Sequence, residues 1–137
     1  MDTDTLNTLV TDAIWRAEEL EALGIPASPA WKEVSAIEEE LAKAFPVSEG
    51  QGRIARRGAV RAALKAGDYD RAQALADAYI AEEAAPDSLK TALHEILEAD
   101  DQAMESRFQY AAKRHTPREA RDLARRFREA GPFGLAA

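Results

Sequence analysis

Apolar residues recur along this chain at intervals of three and four, and nowhere do Val, Ile or Thr gather into the alternating runs that build strands. The pattern therefore predicts helices throughout. The first stripe, Leu6, Leu9, Val10, Ile14, Ala17, Leu20 and Leu23, ends at Gly24, placed to close a helix as its C′ residue, with Ile25 and Pro26 after it. Ser28 followed by Pro29 predicts an N-cap with proline at N1. The second stripe runs through Trp31, Val34, Ile37, Leu41 and Phe45 and stops at Pro46. Ser48 with Gln51 has the spacing of a capping box, and Ile54, Val60 and Leu64 carry a third helix to Gly67. Another face of that helix is made of small residues, Ala55, Gly58, Ala59, Ala62 and Ala66, over which a neighbour can approach closely.

Asp68 is the expected cap of a fourth helix bearing Tyr69, Ala72, Leu75, Ala76, Tyr79 and Ile80, which ends before Pro86. From Asp87 to about Arg114 neither Gly nor Pro interrupts the stripe Leu89, Leu93, Ile96, Leu97, Met104, Phe108 and Ala111, so a long fifth helix is expected, with Asp100 inside its apolar stripe. Thr116, Pro117 and Glu119 open a sixth helix through Ala120, Leu123, Ala124 and Phe127, and a short flexible tail follows from about residue 131. The fold class is thus all-α, a single domain over 1–137. Linkers of two to six residues favour antiparallel neighbours, hence a compact bundle or a short right-handed array of about six helices.

The string Gly67-Asp68-Tyr69-Asp70-Arg71-Ala72, with Pro86 beyond it, resembles the turn between the two helices of a tetratricopeptide repeat. The resemblance covers about residues 53–86. It implies that the glycine closes one helix, the aromatic packs between the two, and the alanine lets the second sit against the first. The chain holds one such hairpin: Leu97, Ala99 and Asp101 echo Leu64, Ala66 and Asp68 at an offset of 33, with no glycine or aromatic in register.

Charge narrows the field of functions. With 137 residues, no Cys and 18 Lys plus Arg against 25 Asp plus Glu, the net charge is −7, which opposes whole-surface attraction to nucleic acid or anionic lipid. The missing cysteines exclude disulfide frameworks, thiolate metal sites and cysteine nucleophiles. The first residues carry two Asp and no basic group, unlike an export signal, and no apolar run is long enough for a membrane span, so a cytoplasmic, membrane-free protein is expected. Net charge alternates in blocks of −8 (1–50), +4 (51–72), −8 (73–106) and +5 (107–137), which predicts that the basic third and sixth helices lie beside acidic neighbours. The alternative is phosphate or RNA binding, by Arg53, Arg56, Arg57 and Arg61 or by the ridge Arg114, Arg118, Arg121, Arg125 and Arg128; no base-stacking aromatic lies on that ridge.

Reaction chemistry finds little footing. His94, Glu95 and Glu98 imitate the start of a zinc-protease helix, but Glu98 stands where the second histidine is needed, and neither His94 nor His115 is preceded by the glutamate of a di-iron site. Nucleophile elbows and phosphate-binding loops are also missing. Asp100, if buried, would have a raised pKa and become a candidate acid or base. No cofactor or metal is expected.

The reading is a non-catalytic protein-interaction module or homo-oligomeric adaptor, with Trp15, Tyr69, Tyr79 and the small residues Ala55, Gly58 and Ala62 as partner-binding positions. Trp31 is assigned to the core. Trp15 stands at the edge of its stripe, where it serves either as an anchor for a partner or as cover for the bundle. A nucleic-acid-associated protein using the last basic helix is second, and an enzyme or metal-binding bundle third.

Overall fold

Helix ends are set by local chemistry, and most of them lie where the sequence places its stop signals. In the computed structural model, which describes residues 1–114 together with Arg118, Arg121, Asp122, Arg125 and Arg126, five helices follow one another. They are α1 (Thr3–Ala22), α2 (Ser28–Ala44), α3 (Gly50–Lys65), α4 (Tyr69–Ile80) and α5 (Asp87–Arg114). There is no strand among the described residues. The five described positions beyond α5 are helical; the remainder of the expected sixth helix, and the tail from 131, lie outside the described residues.

Gly24 and Gly67 adopt φ of +71° and +77°, a left-handed conformation favouring glycine, and each closes its helix in the same way. Ile25 N–H donates to Leu20 C=O, and Asp68 N–H donates to Ala63 C=O, both at 2.9 Å. Asp68 then caps α4 by accepting from Arg71 N–H at 3.2 Å, while Asp2 caps α1 by accepting from Thr5 N–H at 2.7 Å.

Two expected caps are different. Ala27, not Ser28, is the N-cap of α2, and Ser28 Oγ instead donates to the Ala66 carbonyl at the end of α3. Glu49, not Ser48, precedes α3, and its side chain makes no capping bond, so there is no capping box. The linker instead leans on Gly52. A Cβ there would lie 2.0 Å from Pro46 O and 2.8 Å from Phe45 O, so only glycine lets α3 start so close to the end of α2.

The helices pack in order, α1 on α2 and α2 on α3, while α3, α4 and α5 form a mutually contacting trio. The α2/α3 pair is the most extensive, and α3 is the central helix of a compact all-helical bundle. Small residues make that position possible. Ala55, Ala59, Val60, Ala62 and Ala63 are all buried, and Ser35 Oγ on α2 comes close enough to donate to Ala59 C=O at 2.8 Å. Leu89 and Leu93 of α5 are fully buried against this layer. Ile54, expected in the core, is 59% exposed, because the inward face of α3 is used by Gly52, Ala55, Arg56 and Ala59. Leu23 is exposed too: it sits where α1 has already ended.

Trp31 is buried, as its stripe predicts, and ties three helix ends together. Its Nε1–H donates to Glu21 Oε1 of α1 at 2.6 Å, and Lys65 Nζ of α3 lies 4.3 Å from the centre of its ring.

Candidate interaction surface

Two arginines that the helices turn inward are already occupied. Arg56, on the buried face of α3, donates through Nε and Nη2 to Glu82 at 2.7 and 3.0 Å, a bidentate pair, and through Nη1 to Phe45 C=O and Gly52 C=O at 3.0 and 2.8 Å. Its guanidinium also stands 5.4 Å from the centre of the Tyr79 ring. Arg71 of α4 reaches α2, donating to Glu39 Oε2 at 2.9 Å and to Ser35 Oγ at 3.1 Å. These contacts join α2, α3, α4 and the α4–α5 linker. Tyr79 lies at this network, buried, its hydroxyl without a hydrogen-bond partner among the described residues; burial and then the charge on Glu39 push its pKa up to about 12.

Glu38 also turns inward. It lies on the buried stripe of α2, 9% exposed, with its carboxyl against Gly58 of α3 and with no ion pair or hydrogen bond to a described residue. Burial alone pushes its pKa from 4.5 up to about 7. A Cβ on Gly58 would stand 2.8 Å from Glu38 Cδ, so the missing methyl makes room for this carboxyl.

The expected partner-binding positions divide sharply. Ala55 and Ala62 are buried inside the chain and Gly58 lies half-buried against Glu38, so the small-residue face meets this protein's own helices. Tyr79 is likewise inside. Ala55, Ala62 and Tyr79 are thus corrected from surface to core, and Gly58 is half-buried beside Glu38.

Tyr69 and Trp15 remain accessible. Tyr69 is half-buried and lines a cavity of about 440 Å³ with Gly67, Asp68, Asp70, Asp100, Asp101 and Met104; its hydroxyl is 3.9 Å from Met104 Sδ. Asp100, half-buried there, has its pKa raised by burial and by Asp101, against the lowering effect of Arg107. Trp15 is 75% exposed, where Trp31 is 5% exposed. It lines a shallow recess of about 450 Å³ with Glu18 and Glu19, one turn further along α1.

The basic positions divide as well. Arg56 is internal, and Arg53 donates to the Val47 and Ser48 carbonyls at 3.2 and 2.8 Å, so half of the α3 arginine set serves the fold. Arg118, Arg121 and Arg125 are exposed; the Arg114 side chain and Arg128 lie outside the described residues. His94, Glu95 and Glu98 are exposed, Glu98 accepting from Gln102 at 3.4 Å, and no group of three metal-ligating side chains occurs among the described residues. Among the described residues no helix is long and apolar enough to cross a membrane.

Buried Arg56 and Glu38, half-buried Arg71 and the need for Gly52 escape a reading of stripes, although Arg56 and Glu38 do fall in helical register with buried neighbours, one turn from Gly52 and Val34 respectively. No family model, curated protein or solved structure matches the chain.

Proposed function

We propose that this chain is a non-catalytic protein-binding module that engages its partner through the outer face of α1 around Trp15. The observation that carries the reading is the exposure of that indole in a chain that buries its other tryptophan. A tryptophan presents roughly 200 Å² of contact area, and 75% of it is open at Trp15, so covering that ~150 Å² at ~25 cal/mol per Å² contributes up to about 4 kcal/mol to a complex, the scale of a dominant anchor. The inward arginines are committed to Glu82, Glu39 and backbone carbonyls, which supports a scaffold rather than a reaction centre.

The α3–α4 hairpin fits the same role. Gly67 turns the chain, Asp68 caps α4, Ala72 is fully buried and α5 packs on both helices, as expected where a tetratricopeptide-like hairpin receives its next helix.

The test is a photo-crosslinking amino acid placed at position 15, with exposed Gln73 on α4 as control position, irradiated in the native host cell and analysed by mass spectrometry. A discrete crosslinked protein at 15 and none at 73 is expected; equal, diffuse labelling at both would overturn the proposal.

A further inference from the structure

We propose that the occupant of the outer face of α1 is a basic, arginine-bearing segment of another protein, with a guanidinium laid on the Trp15 ring and paired with the carboxylates around it. This rests on the protein-binding role proposed for that face and names the chemistry of its partner.

The fold itself makes no use of this side of α1. At about 100° per residue, Trp15 lies roughly 140° or more around the helix from each of Leu6, Val10, Ala13 and Ala17, the buried row. The substantial helix partner of α1 is α2. On the far side Thr8, Thr11, Asp12, Trp15, Glu18 and Glu19 are all exposed.

The polar groups on that side are not equivalent. The Thr8 and Thr11 hydroxyls donate to Asp4 C=O and Asn7 C=O at 3.1 and 2.9 Å and are therefore satisfied within the helix. The carboxylates of Asp12, Glu18 and Glu19 have no ion pair or hydrogen bond to a described residue. They stand three residues before, three after and four after Trp15, the spacings that make side chains neighbours on a helix. Arg16, the one cation of α1, donates to Glu33 of α2 at 3.3 and 3.4 Å, which commits it to a different acid.

An indole surrounded by unneutralised carboxylates is a poor seat for an apolar side chain, because covering it would strip water from charges that then have no partner. A guanidinium reverses that balance. Its flat face stacks on the ring while its N–H groups fork onto a carboxylate, two contacts that the point charge of Lys cannot make together. The chain builds a related grouping inside, where Lys65 Nζ lies 4.3 Å from the centre of the Trp31 ring and Glu21 accepts from Trp31 Nε1–H at 2.6 Å. The recess of about 450 Å³ lined by Trp15, Glu18 and Glu19 gives an incoming side chain room. Residues 1–50 carry a net charge of −8, which steers a basic partner to this end of the molecule.

The experiment titrates the whole isotope-labelled chain with an alanine-based helical peptide carrying arginine at every fourth position, and follows the two indole N–H signals by nuclear magnetic resonance at about 50 mM salt. Trp15→Phe assigns the signals, and Trp31, buried and bonded to Glu21, is the internal reference. A saturable shift of the Trp15 signal is expected, with Trp31 unmoved and a Kd of about 100 µM that weakens about tenfold at about 500 mM salt. Citrulline in place of arginine keeps the planar shape and loses the charge, and should weaken binding about tenfold; lysine should weaken it about threefold. Trp15→Ala and the triple variant D12N/E18Q/E19Q should each weaken it about tenfold, with helicity by circular dichroism unchanged.

An unmoved Trp15 signal at about 1 mM peptide, equal binding of the citrulline peptide, or undiminished binding to either variant overturns the proposal. A response spread over Trp31 and the other acidic helices, and insensitive to Trp15→Ala, marks general attraction to a polycation and overturns it too. Crosslinking from position 15 separates this partner chemistry from the broader role. A discrete crosslinked protein whose captured segment is rich in arginine is expected. If that segment is apolar or acidic, or belongs to a second copy of this chain, the arginine-bearing partner is wrong and the interaction module stands; no discrete crosslink at position 15 removes both.

Discussion

Glu38 offers the most decisive test of how the α2/α3 interface is built. Replacing it by Gln keeps the shape beside Gly58 and removes the charge. In the folded chain its carboxyl titrates at about 7 against an ordinary 4.5, so folding favours the protonated form. Between about pH 4.5 and 7 the folded state holds a proton that the unfolded state has released, and stability must fall as pH rises through that window. At ~1.4 kcal/mol per pH unit the full shift corresponds to about 3 kcal/mol, and contact with water at the edge of the site reduces this to about 2 kcal/mol. Glu38→Gln should therefore match the wild type at pH 5 and exceed it by about 2 kcal/mol at pH 8. The assay is urea unfolding followed by far-ultraviolet circular dichroism, with variant and wild type compared at each pH so that other carboxylates cancel. Gly58→Ala is the companion. Its methyl would press on Cδ of Glu38, the mobile end of a long side chain, driving the carboxylate toward water, while Ala adds up to about 1 kcal/mol of helix propensity. The pH dependence should largely vanish in that variant. Equal stability differences at pH 5 and pH 8 would show that Glu38 is not desolvated and that α2 does not press on α3 in this way.

Gly52→Ala should destabilise by about 3 kcal/mol in the same urea assay despite its better helix propensity, because the new methyl meets the backbone carbonyl oxygen of Pro46, which cannot swing aside. Arg56→Ala should cost about 3 to 5 kcal/mol, stranding Glu82 and two carbonyls, whereas Glu82→Gln should cost less because Glu82 is partly exposed; denaturant midpoints should rank them in that order. Leu93→Ala, at a fully buried position of α5, should cost about 2 to 5 kcal/mol by the same measure. Trp15→Ala should change monomer stability by less than about 0.5 kcal/mol at high salt, which thermal melting checks, since the side chain covers little of the core.

Much of the helical plan was legible because its signals act over a few residues. Gly24 and Gly67 stop helices by entering the left-handed region, Asp68 caps its own next turn, and the uninterrupted stretch after Pro86 forms α5 over Asp87–Arg114. The apolar stripe also places Trp31, Val34 and Leu41 in the core. Local rules failed where a remote group competed for the same atom: Ser28 Oγ, a good cap by type, is taken by the Ala66 carbonyl.

The interaction surface was legible only in part. Trp15 and Tyr69 carry their chemistry in any context, and both are accessible. Ala55, Gly58 and Ala62 form a small-residue face whose neighbours belong to the same chain. The amino-acid order thus settles where most of the described helices begin and end and which stripe is apolar, since those depend on near neighbours along the backbone. Which helix fills the small face of α3, and whether Arg56 and Glu38 lie in water or in the interior, depends on residues tens of positions away, such as Glu82, Phe45 and Gly58. Burial is a property of the packed assembly of helices, and a charged side chain on an otherwise suitable face is tolerated inside when distant groups either satisfy its charge, as for Arg56, or leave room for its neutral form, as for Glu38.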